Sequence, residues 1–388
     1  MATDQRDELI LTNAHLVTPD EDFTGTVKIA DGVIADVSRG GSQAAGAVDF
    51  EGDYLIPGLV ELHTDNLERH LQPRPGVAWP RRAAVAAHDG EFVSVGVTTI
   101  FDAVRVGVLF QDGIGDYARD ALEAVSALRE LKLLKADHYV HVRCEICAPT
   151  VIEEFDRIAA EPRLRLISVM DHTLGQRQFR REDKYREYYM GKKGMSEEEL
   201  RAYAEESRGY QTLYAEKHRA ALTERANAIR AERGVFAVAS HDDAEPEHVA
   251  ENLAMGATIA EFPTTPGAAR LSRQEGLAVL MGAPNLLRGF SHSGNVSALE
   301  LAQDGLVDVL SSDYAPAALM LAAFKLAEET DYGLPRAIAT VTRNPAMAVG
   351  LEDRGALTPG LRADLARVYR AERLCVTRSV WREGARIM

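Results

Sequence analysis

Eight short apolar segments recur through the middle of the chain, and helical stretches separate most of them. They are LVELH (59–63), VTTIFDAV (97–104), HYVHVRCEI (138–146), LRLISVMD (164–171), VFAVASHD (235–242), ATIAEFP (257–263), LAVLMGAP (277–284) and VDVLSSD (307–313). Odd and even positions are both apolar, as in parallel strands whose two faces are buried. Eight strand–helix units predict an α/β fold, a (β/α)8 TIM-like barrel with its active site at the C-terminal strand ends. A doubly wound open sheet is the alternative, but no strand precedes a G-x-G-x-x-G or P-loop motif.

The two ends of the chain read as short strands with turn signals. Residues 1–56 include Asp31-Gly32 between two alternating runs, a hairpin signal, and residues 355–388 contain two further strand-like runs. We therefore predict a small β-sandwich domain built from both termini, with the barrel spanning 57–354. An insertion near 174–233 is strongly helical and mixed in charge, and over most of its length we expect a solvated helical hairpin.

Polar side chains follow the predicted barrel strands where each strand ends. Six of them offer nitrogen or oxygen ligands: His63, Asp65, Glu145, His172, His241 and Asp313. Taken singly, each is most simply a solvated or hydrogen-bonded group. Gathered at one rim, their carboxylates would repel one another unless cations held them. Such a set suits Zn²⁺ or Mn²⁺, and six ligands are too many for one tetrahedral ion, which predicts two divalent metals. Asp102 and Glu261 also stand at strand ends, without an assigned role.

Basic and polar residues beside these strand ends are candidate contacts for a phosphorylated substrate. The candidates are Arg69, His70, Arg74, Arg177, Arg181, Asp242, His292, Ser293 and Asn295. Guanidinium groups suit phosphate oxygens because their planar donors match them in pairs. Asp242 has two interpretations, as a metal ligand or as a partner that orients His241.

Composition narrows the class of partner and the compartment. The chain has 388 residues and a formal charge of -15, which argues against nucleic acid or an anionic membrane as the main partner. Cys144 and Cys147 form one C-x-x-C within a strand, which favours buried reduced thiols over a zinc or redox site. No signal peptide and no apolar run of about 18 residues is present, so we expect a cytoplasmic protein. A homodimer is the default expectation for its assembly.

Several motifs together resemble the amidohydrolase superfamily. They are IPGLVELHTD, GVTTIFD, the strand-end histidines, SSDYAP and GALTPGLRADLARV. More narrowly, HTDNLERHLQPRP, VMDHTLGQRQF, ASHDDA and SHSGN resemble the diphosphatases of the carbon–phosphorus lyase pathway, which degrades phosphonates. The superfamily's first strand usually ends in His-x-His, where this chain has His63-Thr-Asp65. Glu145 stands in for the carboxylated lysine that bridges the metals in many members. His172 and His241 follow the fourth and fifth segments, whereas the superfamily pattern places such histidines after the fifth and sixth strands.

The resemblance implies a metal-dependent phosphoanhydride hydrolase. Its substrate would be a ribose 5-triphosphate carrying methylphosphonate on carbon 1, split between the α and β phosphorus atoms into a 5-phosphate and pyrophosphate. Two bound metals, zinc by affinity order or else Mn²⁺ or Mg²⁺, would lower the pKa of water from ~15.7 to about 7. Asp313 is the candidate general base. Two alternatives use the same rim: an amidohydrolase acting on a C–N bond, such as a cyclic amidase or a deaminase, and a non-enzymatic barrel that binds sugar phosphates.

Overall fold

The structure is a computed structural model that describes residues 8–388 apart from 75, 108, 110–116, 180–181, 193 and 292–293, and apart from the side chains of 117 and 192. Its strands, in chain order, are β1 Leu9–Val17, β2 Asp22–Ala30, β3 Val33–Arg39, β4 Val48–Asp49, β5 Tyr54–Pro57, β6 Leu59–Thr64, β7 Val97–Val106, β8 Asp137–Glu145, β9 Leu164–Met170, β10 Ala237–His241, β11 Ile259–Glu261, β12 Ala278–Gly282, β13 Val309–Ser311, β14 Leu365–Ala371, β15 Leu374–Arg382 and β16 Ala385–Arg386.

The α-helices lie mostly between the barrel strands. They are α1 Asn66–Leu71, α2 Arg81–Ser94, α3 Tyr117–Glu130, α4 Val151–Ile158, α5 Glu182–Arg186, α6 Glu197–Arg233, α7 Pro246–Ala254, α8 Pro266–Gln274, α9 Ala283–Arg288, α10 Ala298–Gln303, α11 Ala318–Glu329, α12 Gly333–Ala339 and α13 Arg343–Ala348. Among the described helices, none combines the length and the apolar character needed to cross a membrane.

Strands β6 to β13 form the predicted parallel barrel. Each pairs with its neighbour in chain order, and a bridge between Thr64 and Asp313 joins the first strand end to the last. Phe101 on β7 and Tyr139 on β8 are paired residues of neighbouring strands, and both side chains point into the barrel. Together with apolar side chains from the other strands, they fill its interior. The predicted count of eight barrel strands is confirmed. His172 follows the fourth of these strands, and His241 ends the fifth.

The terminal strands form a sheet separate from the barrel, with the order β16-β15-β14-β5-β1-β2-β3 and with β4 paired to β1, as expected for a small β domain built from both ends of the chain. Strand β5 pairs with β14 from the far end of the chain and leads directly into the first barrel strand. Asp31 and Gly32 both have positive φ, 52° and 80°, and connect β2 to β3, which confirms the hairpin turn.

The insertion differs from the expected hairpin. It consists mainly of one 37-residue helix, α6, which starts with a capping box between Ser196 and Glu199. The helix is not wholly solvated, because Leu222, Ala226 and Ile229 belong to the large core cluster around the barrel. Before it, a 3₁₀ turn (Arg177–Phe179), α5 and a π-helical stretch (Glu187–Lys192) gather aromatic side chains into a small separate core.

Candidate metal centre

The C-terminal ends of the barrel strands open into one cavity of about 610 Å³. All six predicted metal ligands line it: His63, Asp65, Glu145, His172, His241 and Asp313. They come from loops or strand ends at the first, third, fourth, fifth and eighth barrel strands. The barrel thus brings together side chains that are up to 250 positions apart in the sequence, as the C-terminal face of this fold does in general. Their role as ligands stays a prediction.

Among the described residues, five groups of three side chains have ligand atoms close enough to share an ion, and two of these groups contain two or more of the predicted ligands. His63, Asp65 and Asp313 form the first group, and His172, His241 and Asp242 form the second, each with ligand atoms within 4.8 Å of one another.

The spacing inside each group suits a metal. His63 Nε2 lies 4.0 Å from Asp65 Oδ1, and His172 Nε2 lies 3.9 Å from Asp242 Oδ2. Both distances are too long for a hydrogen bond. An ion with bonds of about 2.0–2.2 Å to each partner fits between them. The residues present therefore fit divalent metal ions at this rim.

Glu145 lies with the second group. One of its oxygens is 2.6 Å from His172 Nδ1, and its other oxygen accepts a hydrogen bond from the His172 backbone nitrogen at 3.2 Å. Burial alone would lower the pKa of His172, but the charge of Glu145 and this hydrogen bond raise it above the ordinary value. The carboxylate fixes the orientation of the imidazole, and bridging of two metals by Glu145 stays a prediction.

Glu261, at the end of β11, orients His63 from behind. Its Oε1 is 2.7 Å from His63 Nδ1, which leaves Nε2 facing Asp65, and Ser168 donates to its Oε2 at 2.7 Å. Burial favours a raised pKa, but the nearby imidazoles of His63 and His141 lower the pKa of Glu261 below its usual range. A carboxylate on the far nitrogen of a ligating histidine is a common support of metal sites. The sequence marked Glu261 only as a strand-end residue.

Glu61 clamps the first and last barrel strands together. Its two oxygens accept hydrogen bonds from the backbone nitrogens of His63 and Ser312, both at 2.7 Å. Complete burial raises the pKa of Glu61 to about 7, although both hydrogen bonds act in the opposite direction. This clamp sets the positions of His63 and Asp313 relative to each other.

Two rim residues have backbones in the left-handed region. Asp242 has φ 56° and Asp313 has φ 55°, values that residues other than glycine adopt rarely. Asp242 Oδ2 lies 2.8 Å from His241 Nδ1 and 3.9 Å from His172 Nε2, a position compatible with both interpretations of Asp242, as the partner that orients His241 and as a metal ligand.

The predicted substrate contacts divide into three sets. Arg69, Asp242 and Asn295 line the cavity. His70 and Arg74 lie outside its lining, and the His70 side chain is hydrogen-bonded to Glu91. Three further candidates, Arg181, His292 and Ser293, lie outside the described residues, and Arg177 differs from all of these.

The position of Arg177 does not agree with the phosphate contact predicted for it. Its side chain is only 3% exposed and is ion-paired with Asp243, with a second carboxylate oxygen, Glu251 Oε2, at 3.2 Å. It also donates to the backbone oxygen of His241 at 3.2 Å. Arg177 is absent from the cavity lining, so its guanidinium serves as a structural cation under the rim.

Other cations and an aromatic wall line the cavity without having been singled out from the sequence. The cations are Arg105, Arg143 and Arg288, and the wall contains Phe179, Tyr188, Tyr189 and Tyr203 from the insertion. A signal for Arg105 and Arg143 existed, since each is a charged residue near the C-terminal end of a barrel strand. Arg105 is four positions after Phe101, and Arg143 is four positions after Tyr139. Because side chains alternate between the two faces of a strand, each arginine lies on the same inward face as its aromatic residue.

Comparison with known proteins gives a relative over the full length. The chain is 42% identical over 384 residues to the α-D-ribose 1-methylphosphonate 5-triphosphate diphosphatase of Escherichia coli K12, covering 98% of this chain and all of the relative. A dihydroorotase of Trichlorobacter lovleyi is 30% identical over 91 residues, about a fifth of either protein. No model of a protein family matches the chain.

Solved structures share the fold at low sequence identity. A 5-methylcytosine deaminase from Klebsiella pneumoniae superposes with a TM-score of 0.65 at 16% identity, over 98% of both chains. An N-acetyl-D-glucosamine-6-phosphate deacetylase from Mycobacterium smegmatis gives 0.62 at 18%, over 98% and 100%. An amidohydrolase gives 0.59 at 16%, over 98% and 99%. The chain thus shares its fold with these enzymes, and it belongs to the family of the α-D-ribose 1-methylphosphonate 5-triphosphate diphosphatase.

Proposed function

We propose that this protein hydrolyses α-D-ribose 1-methylphosphonate 5-triphosphate to the corresponding 5-phosphate and pyrophosphate, as a step in phosphonate degradation. The observation that carries this proposal is the 42% identity with the Escherichia coli diphosphatase from end to end. A cavity that combines candidate metal ligands with several arginines supports it, because phosphoryl transfer needs charge neutralisation on the phosphoryl oxygens.

Two divalent ions would fit the rim, one between His63, Asp65 and Asp313 and the other between His172, His241 and Asp242. Glu145 would bridge them. Zinc is the ion that imidazole and carboxylate ligands favour by affinity over manganese or magnesium. When bound, such ions make water a nucleophile at neutral pH and neutralise phosphoryl charge.

We infer that Asp313 acts as the general base, and its position in the cavity lining supports this role. Its backbone is locked to the first strand end, because Asp65 N donates to its carbonyl oxygen at 2.7 Å and its own nitrogen donates to His63 O at 3.1 Å. A water oxygen bonds to the α phosphorus while the bond from this phosphorus to the α–β bridging oxygen breaks, and the electron pair leaves with pyrophosphate. One water proton passes to the Asp313 carboxylate, and the other remains on the new 5-phosphate.

The test is phosphorus NMR of the reaction on the sugar triphosphate, together with metal analysis of the purified protein. Free pyrophosphate is expected to appear without stepwise orthophosphate. Chelation should stop turnover, and returning the metal should restore it. Asp313→Asn should lower kcat by about a hundredfold or more, because a positioned base contributes 10²–10⁴ in rate.

Asp304→Asn is the matched control, since Asp304 is an exposed carboxylate paired with Arg270 away from the cavity. It should leave kcat unchanged. Undiminished turnover after exhaustive chelation would contradict the metal-dependent reaction. Release of ammonia or a free amine from a cyclic amide, without pyrophosphate release, would favour the C–N amidohydrolase. A His172→Ala protein that loses metal and turnover would exclude the non-enzymatic barrel.

A further inference from the structure

Three of the four arginines in the described cavity lining come from the second and third barrel strands and from helix α1. Arg105 on β7 and Arg143 on β8 are Cα partners in the parallel ladder, so their side chains leave neighbouring strands side by side and point into the same space. Arg69, on the helix that follows Asp65, lines the same cavity. Side-by-side cations on adjacent strands repel one another, which makes the pair costly unless anions lie between or beside them.

The exposure of these arginines increases from the floor of the cavity to its mouth. The side chain of Arg143 is 9% exposed, that of Arg105 is 22% exposed and that of Arg69 is 58% exposed. Each guanidinium is close to a carboxylate: Arg143 to Asp65 at 2.6 Å, Arg105 to Glu68 at 2.6 Å and Arg69 to Glu91 at 2.7 Å. The order in depth therefore runs Arg143, Arg105, Arg69.

The deepest arginine adjoins the candidate metal ligands. Arg143 Nη1 donates to Asp65 Oδ1, and Nη2 lies 3.4 Å from His241 Nε2, so the guanidinium stands between the two ligand groups. Its Nε is buried and has no hydrogen-bond partner. A buried charged donor without a partner is unfavourable, and the parts of Arg143 that line the cavity remain open to an anionic ligand.

We propose that Arg143, Arg105 and Arg69 form an arginine track that binds the linear triphosphate from floor to mouth. This rests on the proposed function and adds the direction of the substrate. The α phosphoryl group lies deepest, beside Arg143 and the metal ligands, and the β and γ groups follow along Arg105 and Arg69. The sugar end lies against the aromatic wall of Tyr188, Tyr189 and Tyr203. Pyrophosphate is thus released on the side nearest the mouth.

Binding of inorganic polyphosphates tests the track without requiring turnover. Calorimetry on the metal-loaded protein would compare orthophosphate, pyrophosphate and tripolyphosphate, with Arg105→Met and Arg69→Met as variants. Arg105→Met is expected to weaken the binding of pyrophosphate and of tripolyphosphate by about ten- to a hundredfold, because one charge-assisted hydrogen-bonded pair is lost. Arg69→Met should remove only the advantage of tripolyphosphate over pyrophosphate. Orthophosphate should be little affected by either change.

Arg270→Met is the matched control, because Arg270 is an exposed arginine paired with Asp304 and lies outside the cavity lining. It should bind all three anions as the wild type does. Metal content is measured in every variant, so that a loss through the metal ligands is recognised. Arg69 is mostly exposed, which keeps its variant informative even if Arg105→Met folds poorly.

Unchanged polyphosphate affinities in both Arg105→Met and Arg69→Met, with metal content retained, would overturn the track. If both variants weakened the binding of all three anions equally, the proposed direction of the triphosphate along the track would be overturned. The proposed function fails separately: a wild type that binds tripolyphosphate in the predicted graded way but releases no pyrophosphate from the sugar triphosphate supports the track and rejects the reaction.

Discussion

At the scale of single residues, the partner of a charge decides its role. Arg177 and Arg143 are both nearly buried arginines close to the rim, at 3% and 9% side-chain exposure. Arg177 is held by Asp243 beneath the rim, with Glu251 as a second partner. Arg143 lines the cavity between metal-ligand candidates and keeps a buried donor without a partner. The first guanidinium supports the fold, and the second faces the cavity.

Replacing Arg177 by Met should therefore reduce stability rather than substrate affinity. Asp243 is fully buried and would lose its countercharge, which typically costs about 3–5 kcal/mol in the free energy of unfolding. Denaturant unfolding of the variant gives this loss, and KM for the sugar triphosphate should stay near that of the wild type in the folded fraction. A large rise in KM without loss of stability would restore the phosphate contact that the sequence predicts.

At the scale of elements, the link between the terminal sheet and the barrel depends on a close approach at Gly58. This residue lies between β5 and β6, and its nitrogen donates to Asp364 O at 2.7 Å, next to β14. A Cβ at this position would meet three atoms of the Thr98 side chain, all under 3.0 Å. Thr98 is fully buried on the neighbouring strand β7 and has little room to move.

Gly58→Ala should thus destabilise the protein by roughly 1–3 kcal/mol, the usual cost of overpacking a filled core. The double variant Gly58→Ala with Thr98→Ala removes the clashing atoms and should recover part of the loss. Thermal unfolding of the two single variants and the double variant measures this coupling. Additive losses in the double variant would show that the Thr98 contact is not the cause.

At the scale of the whole molecule, a buried chain of imidazoles and carboxylates joins the helical layer to the barrel. Asp102 on β7 accepts hydrogen bonds from His88 on α2 and from His138 on β8, both at 2.8 Å. His138 also lies 3.2 Å from Asp89 on α2. Burial alone would lower the pKa of His138, but Asp102 and Asp89 raise it to about 9.

This histidine should make global stability depend on pH above neutrality. Because the folded-state pKa is raised above the ordinary ~6.5, the stabilisation is complete below about pH 6.5 and is lost as pH rises through about 9. The shift corresponds to at most about 3 kcal/mol. His138→Gln should be less stable at pH 6.5 and show a flatter decline in the free energy of unfolding between pH 6.5 and 9. Parallel pH profiles for variant and wild type would contradict this assignment.

The assembly and the compartment are also properties of the whole molecule, and the homodimer and the cytoplasmic location stay predictions. Sedimentation of the purified protein measures the first, and fractionation of cells measures the second. The sugar triphosphate as the small-molecule partner depends on the proposed reaction.

The sequence alone determined the barrel, the joined terminal strands and the six residues that meet at the rim. It could do so because buried parallel strands must be apolar on both faces, and polar groups at their ends have only the open face of the barrel to occupy. Only the tertiary structure decided which cations face the cavity. Arg177 stands five positions after His172 yet turns beneath the rim, whereas Arg105 and Arg143 lie far apart in sequence and meet as strand neighbours. The direction of a side chain depends on how strands register around a closed barrel, and local sequence does not encode that register by itself.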